Sequence, residues 1–204
     1  MLGCKGEILI LTGPPGAGKT TVAAALARTS GSSKVHLHAD DFWRSIGNGA
    51  VPPHLPESDA QNRVVMDVLS RAASAYAEGG YFVILDGIIG PWFLPAFQRL
   101  QVPIHYVVLR PPLDTAIRRC RRRGGETLAD PAAITLLHQQ FDGLGSLEPH
   151  VLAVDRDIQP HQLVSRIASI VVSRSNLLGH GDRYSADCIP PCPFADASAS
   201  RQQR

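Results

Sequence analysis

The stretch Gly13-Pro14-Pro15-Gly16-Ala17-Gly18-Lys19-Thr20 fits the pattern G-x-x-x-x-G-K-[ST] and decides the fold of this chain. It follows an apolar run, Ile8 to Leu11, that predicts a buried strand. After it, Val22, Ala25 and Leu26 recur at helical spacing. A helix that begins at a glycine-rich turn presents unpaired backbone N–H groups and the positive end of its dipole to that turn. The stretch therefore predicts a phosphate-binding loop between a strand and a helix.

The same stretch predicts what the loop binds. The Lys19 ammonium would contact the β- and γ-phosphates of a nucleoside triphosphate, and the Thr20 hydroxyl would bind Mg²⁺. The sequence contains no guanine-reading N/T-K-x-D motif, which favours ATP as the nucleotide. We therefore expect ATP and Mg²⁺ as cofactors. The predicted nucleotide-binding residues are Gly13, Pro14, Pro15, Gly16, Ala17, Gly18, Lys19, Thr20 and Thr21.

Length and composition predict an ordinary globular protein. The chain has 204 residues, 19% of them charged, and its net charge of +2 is too small to predict a nucleic acid partner. No apolar run approaches the ~20 residues that cross a membrane, and the first strand begins too early for a signal peptide. The four cysteines form no disulfide framework, and Cys188 and Cys192 lack a second ligand pair for zinc. We expect a cytoplasmic monomer or homodimer.

Strand-like and helix-like runs alternate along the chain. Apolar runs predict strands at residues 8–11, 34–40, 81–86, 103–110 and 151–154. Alternation with helices predicts a three-layer α/β fold with a parallel sheet and right-handed crossovers. Ser58 and Gln61 predict a capping box at the start of a long helix, and Asp130-Pro131 predicts another helix start.

The domain boundary is predicted from composition. We assign residues 1–175 to one domain, with a lid at about 119–131 that hinges at Gly124-Gly125. Residues 176–204 are rich in Pro, Ser and Ala, and much of this segment lacks apolar periodicity, so we expect a disordered tail.

Aspartates follow two of the predicted strands. Open α/β sheets bind ligands at the carboxyl ends of their strands. We expect Asp40 to accept the proton of a substrate hydroxyl, and Asp86 and Asp41 to hold Mg²⁺, Asp86 through water. The alternatives are structural, because Asp41 also suits a cap for the helix that begins at Phe42, and Asp86 suits a turn before Gly87.

Five arginines lie in the run RRCRRR at residues 118–123. One interpretation is a lid whose arginines neutralise charge as a phosphoryl group moves, with Arg119 and Arg123 as the preferred catalytic residues beside Lys19 and Asp40. The other is a solvated basic face or a weak RNA-binding patch.

Aromatic residues lie near the same strand ends. Trp43, Trp92 and Phe93 could form the wall of a substrate pocket, with Arg44 beside them, or could simply pack in the core. The histidines of the second predicted strand, His36 and His38, have no metal-binding spacing and are given no chemical role.

Together these segments resemble the small P-loop kinases. The segments are GPPGAGKT (13–20), ADDFW (39–43), YFVILDG (81–87), RRCRRRGG (118–125) and HQQFDGLGSLEPHVLAVD (138–155). Their order is that of the group containing chloramphenicol phosphotransferase, gluconate kinase, adenylylsulfate kinase and zeta-toxin kinases. The chain is particularly similar to bacterial proteins that carry AAA-type ATPase or probable-kinase labels. The resemblance covers residues 7–172.

This resemblance implies a five-stranded sheet of order 2-3-1-4-5, as in nucleoside monophosphate kinases. It implies that Asp40 is the base and that a lid arginine lies near Arg123-Gly124. The sequence lacks the G-D pattern of gluconate kinases and the D-G-D triplet of adenylylsulfate kinases, and its insert at 45–60 indicates no particular substrate. Asp86 is followed by Gly87 where hydrolytic AAA ATPases have glutamate, so a ring-forming ATPase is not expected.

The sequence therefore predicts Mg²⁺-assisted phosphoryl transfer from ATP to a hydroxyl of a sugar, sugar acid, nucleoside or antibiotic-like molecule. Two alternatives stay open. One is a polynucleotide 5′-hydroxyl kinase that binds its substrate through the arginine run. The other is an ATP-binding regulatory switch with little turnover.

Overall fold

Five parallel strands form the centre of the molecule. The structure is a computed structural model, and it describes residues 3–123 and 130–178. The strand order is β2-β3-β1-β4-β5, which confirms the predicted topology. The strands are β1 (Ile8–Thr12), β2 (Lys34–His38), β3 (Phe82–Asp86), β4 (Ile104–Arg110) and β5 (Val151–Ala153).

Helices connect the strands and cover both faces of the sheet. The α-helices of the described residues are α1 (Lys19–Ala27), α2 (Ala39–Arg44), α3 (Asp59–Glu78), α4 (Leu94–Phe97), α5 (Leu113–Arg123), α6 (Pro131–Gln139) and α7 (Pro160–Ser173). Short 3-10 helices span Pro56–Ser58, Pro91–Phe93 and Gly145–His150. No helix in the described ranges is long and apolar enough to cross a membrane.

The two faces of the sheet carry separate apolar clusters. Because side chains alternate along a strand, Ile8 and Ile10 of β1 belong to the cluster under α3, and Leu9 and Leu11 to the cluster under α1 and α7. All four are fully buried. This two-sided burial explains why β1 is an unbroken apolar run rather than an alternating one.

The strand register brings functional candidates to one edge of the sheet. Asp86 at the end of β3 lies opposite Leu11 of β1 and opposite His38 of β2. The loop that follows β1 therefore begins beside Asp86, and the chain that follows β2 begins on the other side of it.

Of two predicted helix starts, one differs from the structure. Ser58 precedes α3 but makes no side-chain cap, so the capping box is wrong. The Gln61 amide instead exchanges two hydrogen bonds with the backbone of Val51, at 2.7 and 2.9 Å, and fastens the preceding loop to α3. The start of α6 is confirmed, because the Asp130 side chain accepts a hydrogen bond from the backbone of Ala132.

The ordered chain continues past the predicted domain end. Asn176 accepts a hydrogen bond from the backbone of Tyr106, and the backbone of Leu178 donates one to Ile104. Residues 176–178, which the composition assigns to the tail, therefore lie along β4. The rest of the predicted tail, the Gly124-Gly125 hinge and residues 124–129 of the lid lie outside the described residues.

Candidate active site

The phosphate-binding loop needs glycine for two different reasons. At Gly13 and Gly16, which have φ of 136° and 74°, a Cβ atom would collide with the backbone of β4 and of α5. At Gly18, with φ of 92°, a Cβ atom would meet nothing within 4 Å. The first two glycines therefore let the loop pack on its own scaffold. Gly18 supplies the left-handed turn into α1, whose first N–H groups face open space suited to phosphate.

The Lys19 side chain is hydrogen-bonded to the backbone of the phosphate-binding loop. Its ammonium donates hydrogen bonds to the carbonyls of Gly13 and Pro14, each at 2.9 Å. Burial lowers the pKa of Lys19 to about 8, despite the nearby carboxylates of Asp86 and Asp40. A polyphosphate beside this ammonium would favour its charged form, so the loop is electrostatically suited to an anionic ligand.

Asp86 is the most enclosed polar group of the site. Its carboxylate is fully buried and accepts hydrogen bonds from Thr20 Oγ1 at 2.6 Å and from His36 Nε2 at 2.6 Å. His38 Nδ1 lies 3.1 Å from both carboxylate oxygens. Burial opposes ionisation, but these three partners outweigh it and hold the pKa of Asp86 well below its usual range. Asp86 is therefore an anion that fixes the Thr20 hydroxyl.

His38 lies between Asp40, the predicted base, and Asp86, the predicted metal-binding residue. While Nδ1 faces Asp86, its Nε2 lies 3.5 Å from Oδ2 of Asp40. Hydrogen bonds to Asp40 and Asp86 raise the pKa of His38 to about 10, so the ring is a cation at neutral pH. In turn the His38 ring lowers the pKa of Asp40, whose side chain is 56% exposed.

Sequence reasoning gave His36 and His38 no role, but both contact Asp86 in the candidate site. His36 and His38 alternate with Leu37 along β2, and Leu37 packs on the α3 side of the sheet. Both histidines therefore lie on the α1 side, where Asp86 accepts hydrogen bonds from them. The alternation was visible in the sequence. The alternation alone does not show that both histidines contact Asp86. That follows from the pairing of β2 with β3, which a single sequence indicates only indirectly.

The other predicted aspartate lies elsewhere. Asp41 is 64% exposed and pairs with Arg44 one turn later in α2, at 3.0 Å. The structure therefore does not bring Asp41 together with Thr20 and Asp86. An ion pair this exposed contributes only about 0–1 kcal/mol.

Thr20 and Asp86 are the residues that fit a metal. Within residues 3–123 and 130–178, no three His, Cys, Asp or Glu side chains form a protein-only metal cluster. Mg²⁺ does not need one, because it keeps several waters and commonly takes one or two protein ligands together with substrate phosphates. The Thr20 hydroxyl donates its proton in a hydrogen bond to Asp86. The lone pairs of the hydroxyl oxygen therefore stay available to bind a cation.

Two arginines of α5 lie near the phosphate-binding loop. Arg119 Nη1 donates a long hydrogen bond of 3.5 Å to the carbonyl of Gly16, and burial lowers the pKa of Arg119. Arg123 is exposed and borders two cavities beside the loop, of about 670 and 710 Å³. The first cavity also contains Lys19 and Thr20, so we name it the phosphate cavity.

A smaller cavity adjoins the phosphate cavity. Its volume is about 400 Å³, and we name it the acceptor cavity. Three residues border both cavities: Asp40, Arg44 and Ile88. The aromatic residues considered in the sequence analysis lie here, and the remaining lining includes Trp43, Trp92, Phe93, Asn62, Leu137 and Gln140.

Comparison with known proteins agrees with this geometry. The family model AAA_18, described as an AAA domain, matches residues 9–130, which is more than half of the chain. The chain belongs to this family. A tRNA dimethylallyltransferase from Anaeromyxobacter sp. (strain Fw109-5) is 28% identical over an alignment of 178 positions, which covers 82% of this chain and 55% of the relative. The chain thus spans about half the length of this curated relative.

Solved structures of small kinases share the fold. A sugar kinase from Janibacter sp. HTCC2649 has a TM-score of 0.58 at 20% identity, covering 80% of this chain and 92% of its own. A gluconokinase from Sinorhizobium meliloti 1021 also has a TM-score of 0.58, at 14% identity, covering 83% and 93%. The predicted resemblance to small P-loop kinases is therefore confirmed, and the structural likeness shows the fold alone.

Proposed function

We propose that this protein transfers the γ-phosphoryl group of ATP, with Mg²⁺, to a hydroxyl of a small molecule. The observation that carries the proposal is the position of Asp40. Its carboxylate borders the phosphate cavity on one side and the acceptor cavity on the other. A kinase needs a polar group at this junction, because the acceptor hydroxyl must point at the phosphoryl group.

The residues around the loop have separate roles in this proposal. Backbone N–H groups of the loop and Lys19 bind the phosphates, and Thr20, oriented by Asp86, binds the cation. Mg·ATP supplies the phosphoryl group and much of the charge neutralisation. Arg119 and Arg123 place further positive charge at the loop, where it stabilises charge on the transferring group.

Asp40 acts mainly by orienting the acceptor hydroxyl. The His38 cation lowers the pKa of Asp40 and so makes it a weaker base. Phosphoryl transfer tolerates a weak base, because most analyses find a loose transition state in which the hydroxyl keeps its proton until late. The carboxylate therefore aligns the hydroxyl first and takes its proton as the new bond forms.

One observation favours a second candidate function. Arg118, Arg121 and Arg122 are exposed on α5, and the curated relative is named for a tRNA substrate. If the chain phosphorylated a polynucleotide end, these arginines would bind the phosphate backbone. Binding would then weaken steeply with salt, because each neutralised phosphate releases counterions.

The test is acceptor-stimulated ADP release with Mg·ATP. We expect release to rise with a member of a panel of sugars, sugar acids, nucleosides, aminocyclitols and antibiotics, and to vanish in Lys19→Ala. ADP release with a 5′-hydroxyl oligonucleotide, measured at two salt concentrations, distinguishes the polynucleotide kinase from the small-molecule kinase. Tight ATP binding without release by any acceptor would contradict both functions and leave the regulatory switch.

A further inference from the structure

Three buried polar atoms, in two residues that line the acceptor cavity, have no hydrogen-bond partner among the described residues. They are both amide atoms of Gln140, Nε2 and Oε1, and the indole Nε1 of Trp92, and all three are buried. Both side chains border the cavity. Unpartnered buried polar groups are rare in folded proteins, because each forfeits its hydrogen bonds to water.

Two other polar side chains that line the cavity are hydrogen-bonded to the protein. The Trp43 indole donates to Asn62 Oδ1 at 2.8 Å. The Asn62 amide in turn donates to the carbonyl of Pro53 at 2.9 Å and to Ser58 Oγ at 2.8 Å. Trp43 and Asn62 are therefore satisfied within the protein. Among the buried polar side-chain atoms of the described residues that line the cavity, only those of Gln140 and Trp92 lack a hydrogen-bond partner.

The apolar part of the wall constrains the shape of the ligand. Trp43, Trp92 and Phe93 line the cavity, with the rings of Trp92 and Phe93 5.9 Å apart. Flat aromatic surfaces suit a planar ring, because stacking of two flat faces buries apolar area on both. The volume of about 400 Å³ lies within the range of small-molecule pockets.

We propose that the acceptor is a nucleoside-like molecule: a hydroxylated compound whose planar heterocycle carries an adjacent hydrogen-bond donor and acceptor. The Gln140 amide pairs with that donor and acceptor, and the Trp92 N–H donates to a further acceptor on the ring. The hydroxyl then lies toward Asp40 at the junction with the phosphate cavity. This inference rests on the proposed kinase function and narrows its substrate class.

The chain contains a built-in reporter for this proposal. It has two tryptophans, and both border the acceptor cavity. Intrinsic fluorescence therefore measures acceptor binding without ATP turnover. We use uridine, cytidine and thymidine as probes, with ribose as the sugar control and 3-methyluridine as the control that keeps the ring but blocks its N–H donor.

We expect a pyrimidine nucleoside to change the fluorescence and ribose to leave it unchanged. Methylation at N3 should weaken uridine binding by about tenfold or more, since it leaves the Gln140 oxygen without a partner. In Gln140→Leu the nucleoside binds more weakly, and uridine and 3-methyluridine bind alike. Gln139→Leu, an exposed neighbour on α6, is the matched control and should bind as the wild type does.

Thermal unfolding separates a binding role from a structural one. If Gln140 serves the ligand, Gln140→Leu removes an unmet polar group and keeps or raises the Tm of the free protein while binding falls. If Gln140 instead stabilises the fold, the Tm of the Gln140→Leu variant falls, and the proposal is overturned. Equal binding of uridine and 3-methyluridine to the wild type, or a response to ribose but to none of the nucleosides, also overturns it.

The outcome for the proposed function is read independently. Nucleoside binding that depends on Gln140, with no ADP release in the presence of Mg·ATP, supports the recognition site and refutes the kinase. ADP release stimulated by a polyol that leaves the fluorescence unchanged supports the kinase and overturns the nucleoside-like acceptor.

Discussion

Replacing Asp40 by asparagine tests the junction between the two cavities. Asparagine keeps the size of the side chain and an oxygen that can accept a hydrogen bond, but it loses the charge and the ability to take a proton. The substitution should not unfold the protein, because Asp40 is 56% exposed and its contact with His38 is 3.5 Å long. Such a pair contributes only about 0–1 kcal/mol to stability.

The expected loss of activity follows from the pKa of Asp40. A positioned general base contributes about 10²–10⁴-fold to a rate, and less when its pKa is low. The His38 cation lowers the pKa of Asp40, which places the effect at the lower end. We therefore expect kcat with the true acceptor to fall about 100-fold, equivalent to ~2.7 kcal/mol of transition-state stabilisation. The KM for ATP should stay unchanged, because Lys19 and the loop bind the phosphates.

The adjacent residue provides the control. Asp41→Asn makes the same chemical change one position later, at a side chain that is 64% exposed and paired with Arg44. ADP release with saturating ATP, compared across the wild type and both variants, should show a loss in Asp40→Asn alone. Equal loss in both variants, or full activity in Asp40→Asn, would refute the assignment of Asp40 to the reacting hydroxyl.

Three further predictions concern the loop, the metal and pH. Gly13→Ala should lower the free energy of unfolding in urea by more than about 2 kcal/mol and abolish ATP binding, because Gly13 has a φ of 136° and the new Cβ meets the backbone of β4. The control Gly47→Ala should fold normally, because a Cβ there meets nothing within 4 Å. Asp86→Asn should raise the Mg²⁺ concentration for half-maximal activity about tenfold, and an unchanged Mg²⁺ dependence contradicts its role. Burial lowers the pKa of His105, so the unfolded chain binds more protons below about 6.5 and stability falls as pH falls. His105→Gln should flatten that slope in urea titrations at several pH values, and the exposed His161→Gln should not.

The fold was predictable because its signals are local. The loop pattern lies within eight residues, and each central strand is an apolar run that needs no knowledge of its neighbours. The failed capping box shows the limit of such reasoning. Ser58 and Gln61 have the right spacing, but Gln61 binds the backbone of Val51 instead, because the loop before α3 passes within reach of it. The capping box does not form because the backbone of Val51 makes two hydrogen bonds with the Gln61 amide, where the box would make one.

The sequence predicted only those parts of the candidate site that lie within a single segment of the chain. Lys19 and Thr20 follow directly from the loop pattern. The environment of Asp86 does not, because its partners His36 and His38 are about 50 residues away along the chain and become neighbours only through the pairing of β2 with β3. The cationic state of His38 depends on two carboxylates from different segments and so could not be inferred from any one of them.

The acceptor cavity extends this argument to specificity. Its wall comes from three connections: Trp43 follows β2, Trp92 follows β3 and Gln140 follows α6. Such connections can change without disturbing the sheet, so a fold that is shared at 14–20% identity leaves the acceptor undetermined. The unmet hydrogen bonds of Gln140 and Trp92 are, by contrast, properties of this chain. They are therefore a better guide to the acceptor than the names of proteins with the same fold.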